Sequence, residues 1–190
     1  MKRRTNTLLK TAGVLCLTLI FATAIAGCRS GSADRHKLQI SFRINEPAGV
    51  VPSYQTVVWL EDEAGAIIKT LLVSEYLSMG GYNKEGVCPA WSGKSGWNRK
   101  EIAEISAVTA ATPVVQPQLH TVACSVEGIE PGRYHYFVAT HIVKDYNILC
   151  RGEITISDKP DTNVAEVTYT PEKHEKGYNA LTDVTARYHP

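Results

Sequence analysis

The chain has 190 residues, the length of one ordinary domain or of two small ones. Hydrophobic residues make up 44% and charged residues 21%, a globular composition that excludes a disordered or fibrous protein. Twenty Lys and Arg against 19 Asp and Glu give a formal net charge of +1, so no charge excess points to nucleic acid as a partner.

The N-terminus has the pattern of a bacterial lipoprotein signal. Residues 1–10 are basic, and residues 11–25 are apolar but shorter than the roughly 20 residues that a bilayer span needs. Ile25-Ala26-Gly27-Cys28 resembles a lipobox, in which small residues admit the signal peptidase and the cysteine thiol accepts diacylglycerol. The alternative is a plain signal peptide with a chance cysteine. We predict a lipoprotein signal peptide over 1–27, lipidation of Cys28 and a flexible tether over 28–36.

This signal predicts the location of the protein. Fatty acyl chains such as palmitate on Cys28 would anchor it on the extracytoplasmic side of the bacterial cell envelope, because two or three chains hold stably where one does not. Arg29 follows the cysteine. Aspartate at this position would resemble an inner-membrane retention signal, and the sequence has arginine instead. In a Gram-negative cell the sequence therefore favours the outer membrane, and the periplasm is the compartment of the mature domain.

Alternating apolar and β-branched residues predict eight strands after the tether. They are expected at 37–45, 54–60, 66–73, 119–126, 133–143, 148–157, 164–170 and 181–188. Short turns join most of them, and no long amphipathic helix interrupts them. The sequence therefore predicts that residues 37–190 form an all-β domain, an immunoglobulin-like antiparallel β-sandwich.

One stretch between the third and fourth strands is too long for a hairpin loop. Residues 74–116 contain Cys88, Trp91 and Trp97, together with a short helix predicted over 99–105. Long loops in compact domains are usually functional or disordered, and two tryptophans argue against disorder. We interpret 74–116 as an inserted functional loop; the alternative is a structural excursion.

Several short motifs occur in a recognisable order along the mature chain. They are Val57-Val58-Trp59-Leu60-Glu61-Asp62, Pro89-Ala90-Trp91, Ser106-Ala107-Val108-Thr109-Ala110-Ala111-Thr112-Pro113, Pro131-Gly132-Arg133-Tyr134 and Leu181-Thr182-Asp183-Val184-Thr185-Ala186-Arg187-Tyr188. In this order they resemble the bacterial periplasmic family known as domain of unknown function 2271, over residues 38–189. The resemblance implies partners among flavin-transfer and membrane redox systems.

The third motif suggests a cofactor. Residues 106–112 resemble the sequence at which bacterial FMN transferases attach flavin to threonine through a phosphoester, with Thr112 in the acceptor place. The resemblance implies covalent FMN on Thr112, and Trp91, Trp97 and Tyr82 are then candidates to stack on the flavin ring. The alternatives are a loop of small residues that closes onto the sandwich and aromatic residues that fill the core.

The cysteines beyond the signal are Cys88, Cys124 and Cys150, so at most one disulfide can form within the chain. A meander of the strands 119–126, 133–143 and 148–157 would place Cys124 near His135 and Cys150 near His141. The two cysteines would then lie on the order of 20 Å apart, too far to bridge, which leaves Cys88 as the only plausible partner for either. Each Cys–His pair offers two ligands where a structural zinc needs four, so no metal site is predicted.

Three functions remain open. The first is a redox accessory or electron-transfer protein that carries FMN on Thr112. The second is a non-enzymatic binding or assembly module of the cell envelope, and the third is a thiol-active protein that uses Cys88. No Gly-rich phosphate loop and no GxSxG motif is present in the sequence, which favours a role other than catalysis.

Overall fold

The computed structural model describes residues 36–144, 146–170, 172 and 178–190. The predicted signal peptide, Cys28 and the tether up to residue 35 lie outside the described residues. In the described part of the chain, no helix combines the length and apolar character needed to span a bilayer.

Ten strands and three short α-helices make up the described domain. The strands are β1 (Lys37–Ile44), β2 (Gln55–Glu61), β3 (Ile67–Ser74), β4 (Thr109–Ala110), β5 (His120–Ser125), β6 (Gly132–Val143), β7 (Tyr146–Ile156), β8 (Asp161–Val164), β9 (Glu166–Thr170) and β10 (Leu181–His189). The helices are α1 (Glu75–Ser78), α2 (Pro89–Ser92) and α3 (Ile102–Val108).

The strands form two sheets. One sheet has four strands in the order β5-β1-β10-β8, and the other has six in the order β4-β3-β2-β6-β7-β9. The described pairs are antiparallel except β3 with β4, which run parallel. The prediction of a purely antiparallel sandwich is wrong at that pair, because residues 75–108 separate β3 from β4 and no hairpin joins the two strands.

The main core lies between the sheets. In β1 the side chains of Leu38, Ile40, Phe42 and Ile44 are buried and the residues between them are partly exposed, as the alternation predicts. They pack with inward residues of the other sheet such as Val58, Tyr136 and Ile148. The prediction of an all-β sandwich is therefore confirmed.

The outer face of the six-stranded sheet is also covered. Residues 75–108, which we call the inserted segment, fold from α1 to α3 across this face. Val57, Trp59, Val73, Phe137 and Ala139 of the sheet form a second cluster with Leu77, Val87, Cys88, Trp91 and Trp97 of the inserted segment. Because β2 has a core on each face, all seven of its residues are buried.

Two register predictions are wrong, the first because the chain changes sheets between β5 and β6, and the second because the hairpin between β6 and β7 is tighter than predicted, with Val143 opposite Tyr146. β5 belongs to the four-stranded sheet, where Cys124 lies opposite Leu38 rather than near His135. Cys150 in β7 lies opposite Val138 rather than near His141. The strand predicted over 164–170 is divided at Ala165, so β8 joins one sheet and β9 the other.

The helix predicted over 99–105 begins later, as α3 at Ile102. Arg99 instead ends a 3-10 turn. The backbone N–H of Glu101 donates to the Glu104 side chain at 3.3 Å in a capping box, which sets the start of α3.

Candidate functional site

A groove of about 540 Å³ runs along the outer edge of β3, and we call it the β3 groove. Its floor is residues 65–70, and its walls come from the inserted segment. The wall residues are Lys94, Ser95, Trp97, Lys100, Glu104, Ala107 and Val108. Strand and walls together form an open trough rather than an enclosed cavity.

The groove exists because, over most of its length, β3 has a strand partner on only one side. Residues 67–73 pair with β2, whereas on the other side β4 pairs only with Val73 and Ser74. Among the described strands, none pairs with the outer edge of residues 67–72. Such an edge presents backbone N–H and C=O groups that can accept a further strand.

The groove carries an excess of positive charge. Lys69, Lys94 and Lys100 line it, and Glu104 is the one acidic residue among the described lining residues. Lys69 Nζ donates to the Ser125 carbonyl at 2.9 Å, which holds this ammonium at the end of β5, in the other sheet. Lys100 Nζ and Glu104 Oε1 are 3.6 Å apart in an exposed i,i+4 pair, a contact worth only a few tenths of a kcal/mol.

Lys94 also fastens the inserted segment to the sheet. Its Nζ lies 2.5 Å from Oε1 of Glu61, a carboxylate that is only 4% exposed. The Trp59 indole N–H donates to the same oxygen at 2.5 Å. Glu61 is the last buried residue of β2, whereas Glu63, in the turn that follows, is exposed.

Cys88 lies at the junction between the inserted segment and the sheet. Its backbone is left-handed, with φ 45°, and its N–H donates to Asn147 Oδ1 at 3.0 Å. Asn147 Nδ2 in turn donates to the Gly86 carbonyl at 2.7 Å. These two bonds, both made by the Asn147 side chain, fix the turn before α2 on the start of β7.

Cys88, His141 and Asn147 are the residue types of a thiol nucleophile site, but here they do not form one. The Cys88 thiol donates to the Gln55 carbonyl at 3.6 Å, and His141 Nδ1 is 3.2 Å from Asn147 Oδ1. Burial raises the pKa of Cys88 to about 12, so the group is a neutral thiol at physiological pH. The burial of this thiol and its bond to the Gln55 carbonyl therefore argue against a thiol-active Cys88, which stays a hypothesis.

The candidate flavin-stacking residues are mostly inside the protein. Trp91 is fully buried and Trp97 is 3% exposed. The Trp91 indole N–H donates to Thr70 Oγ1 at 3.2 Å, and that of Trp97 donates to the Ser78 carbonyl at 3.2 Å. Tyr82 is partly buried against the same cluster. Both tryptophans form the core beneath the inserted segment, which is the alternative that the sequence left open, and stacking on a ligand stays a prediction.

Thr112 lies away from the β3 groove. It follows β4, whose register places Ala110 beside Ser74 at the far end of β3, while the floor of the groove ends at Thr70. Thr112 is partly exposed in an irregular stretch before the buried Pro113. In the part of the chain that the structure describes, its hydroxyl makes no hydrogen bond. Thr112 therefore fits an attachment residue, but the buried tryptophans do not fit a flavin seat.

The three cysteines are free in the described domain. Cys88 packs on the outer face of the six-stranded sheet, and Cys150 packs in the core between the sheets. The sheet itself therefore separates them, which the sequence could not show. Nowhere in residues 36–190, leaving aside 145, 171 and 173–177, do three or more His, Cys, Asp or Glu side chains form a group that could hold a metal ion.

The lysines of the β3 groove were missed in the sequence. Lys69, Lys94 and Lys100 are spread over 32 positions and share no motif. A weak signal was available, because residues 66–73 are apolar enough for a strand and carry a lysine, a residue common on exposed sheet edges. Comparison with family models, with curated proteins and with solved structures finds no match to this chain.

Proposed function

We propose that the protein is a lipid-anchored, non-enzymatic binding module of the bacterial cell envelope. In this proposal the lipid is on Cys28, and the domain is an immunoglobulin-like member of the family known as domain of unknown function 2271. The partner binds in the β3 groove.

One observation carries the binding proposal: the β3 groove combines an unpaired strand edge with walls of fixed position. Trp91, Trp97 and the Lys94–Glu61 contact hold the inserted segment on the sheet, so the walls are already in place before a partner arrives. A site formed in advance costs less ordering entropy on binding than a mobile loop does.

Selection of peptides tests this proposal. The full chain, held in detergent and immobilised, is screened against a display library of random linear peptides. We expect binders that lose at least tenfold affinity for Ala107→Trp, because Ala107 lines the groove and the larger side chain fills it. Ser106→Trp is the matched control, since Ser106 is exposed on the same helix but does not line the groove. Absence of binders, or binders that do not distinguish the two variants, would contradict the proposal.

A second candidate function is that of a redox accessory protein with FMN on Thr112, supplied by an FMN transferase and coupled to membrane redox proteins. The partly exposed, unbonded Thr112 hydroxyl favours it. In the step, the Thr112 oxygen loses its proton and takes the FMN phosphoryl group of FAD, and AMP leaves.

Co-expression with an FMN transferase tests this candidate. We expect a mass gain equal to one FMN and in-gel flavin fluorescence, both absent in Thr112→Ala. Thr109→Ala is the matched control, because the Thr109 hydroxyl is already bonded to the Ile105 carbonyl at 2.7 Å. No mass gain, or a gain that survives Thr112→Ala, would exclude the candidate.

A further inference from the structure

We propose that the ligand of the β3 groove is an extended peptide with acidic side chains, which adds to the six-stranded sheet as a further strand along β3. This inference rests on the proposed binding function. It specifies the backbone conformation of the partner and the sign of its charge.

The length of the open edge supports strand addition. The residues without an outer strand partner, 67–72, span about 20 Å at ~3.3 Å per residue. A peptide of about six residues fits this length and can exchange backbone hydrogen bonds with β3. Binding by strand addition derives affinity from these bonds and specificity from alternate side chains.

The protein itself already uses this edge. β4 pairs with Val73 and Ser74 on the side of β3 that faces the groove. Thr109 and Ala110, which directly follow the inserted segment, therefore occupy the end of the edge as a strand, and residues 67–72 of the same edge have no partner among the described strands. A bound peptide would pair with β3 along the same edge, in line with β4.

The charges of the groove select an acidic peptide. Lys69 of β3 lines the groove together with Lys94 and Lys100 of the inserted segment, and Glu104 supplies the single carboxylate of the described lining. The Lys94 ammonium is paired with the buried Glu61 carboxylate. Lys69 is bonded to a neutral carbonyl, and Lys100 has only its exposed 3.6 Å contact with Glu104. These two lysines therefore retain positive charge for carboxylates of a ligand, and such pairs weaken as salt rises.

The apolar part of the groove lining indicates which other side chains the peptide should carry. Ile68 is 43% exposed at the edge, and Ile67, Trp97 and Val108 also line the groove. Because side chains alternate between the two faces of a strand, acidic residues that alternate with β-branched ones satisfy both parts of the lining.

Defined peptides test the inference. The probes are fluorescein-labelled hexapeptides of alternating Glu and Val, of alternating Lys and Val, and of Glu and Val with alternate backbone amides methylated. Fluorescence anisotropy is measured with the full chain in detergent, at low and at high salt. We expect the Glu-Val peptide to bind at least tenfold more tightly than the Lys-Val peptide, and to lose tenfold or more on methylation or at high salt.

Variants complete the test. The double variant Lys69→Gln, Lys100→Gln should lose about tenfold affinity for the Glu-Val peptide, whereas Lys84→Gln, an exposed residue outside the groove, should lose none. Equal binding of the two charge types, or no effect of methylation, would overturn the inference. If Ala107→Trp still abolishes binding of such peptides, the binding function stands and only its acidic-strand form fails. If Ala107→Trp affects no peptide, both proposals fail.

Discussion

Replacement of Trp91 by alanine is expected to lower the free energy of unfolding by about 3–5 kcal/mol. Trp91 is fully buried, its ring centroid lies 5.1 Å from that of Trp97, and its indole N–H is bonded to Thr70. Alanine would leave a cavity between the inserted segment and the sheet and would leave the Thr70 hydroxyl without this donor. Urea unfolding measures the loss, and thermal unfolding should show a midpoint about 10 °C lower.

Met79→Ala is the control for this variant. Met79 belongs to the same inserted segment but is 76% exposed, so its replacement should change stability by less than about 0.5 kcal/mol. A Trp91→Ala protein as stable as Met79→Ala would contradict the packing of the inserted segment on the sheet.

Gly152→Ala is expected to destabilise the domain by about 3 kcal/mol, because an added methyl group has no room. Gly152 lies opposite Tyr136 in the pairing of β6 with β7, and a Cβ built on it would overlap Cε1, Cζ and Oη of the Tyr136 ring. Tyr136 cannot move aside easily. Its ring is fully buried, and its hydroxyl donates to the Asn163 carbonyl at 3.0 Å. Overpacking of this kind forces strained rotamers or backbone shifts.

Gly132→Ala provides the matched comparison within the same pair of strands. A Cβ at Gly132 would meet the Tyr134 ring at 3.6 Å, an ordinary contact distance. Equilibrium unfolding of the two variants should therefore separate them by 2 kcal/mol or more. Similar stabilities for both would mean that Tyr136 does not lie over Gly152.

The sequence predicted the parts of the fold that depend on local pattern. The alternation in 37–45 gave β1 and its buried face, because a strand with one solvated face shows a period of two. The register of β5 was not predictable, because whether two neighbouring strands share a sheet is decided by packing between sheets and not by the turn that joins them. The prediction of one strand over 164–170 was wrong for the same reason. The chain passes from one sheet to the other at Ala165, while the pattern of β-forming residues continues without a break.

The candidate site shows a different limit of prediction from sequence. The sequence drew attention to Cys88, Trp91 and Trp97 because these residues are rare and lie in a long loop. The structure uses all three to bury one face of the sheet, where a second core needs large apolar side chains. The groove beside them is formed by common residues such as Lys69 and Ala107, which acquire their role only from an edge that tertiary structure leaves unpaired.

Amide hydrogen exchange of the full chain tests the central claim most directly: the inserted segment is a packed layer of the domain, and the outer edge of β3 beside it is open. The amides of Trp91, Ser92 and Ser95 are bonded within the segment, to the carbonyls of Cys88 and Trp91. The account predicts that they exchange as slowly as those of β2, through global unfolding, and that edge amides within 67–72 exchange much faster. Exchange of the Trp91, Ser92 and Ser95 amides many orders of magnitude faster than β2 would contradict it.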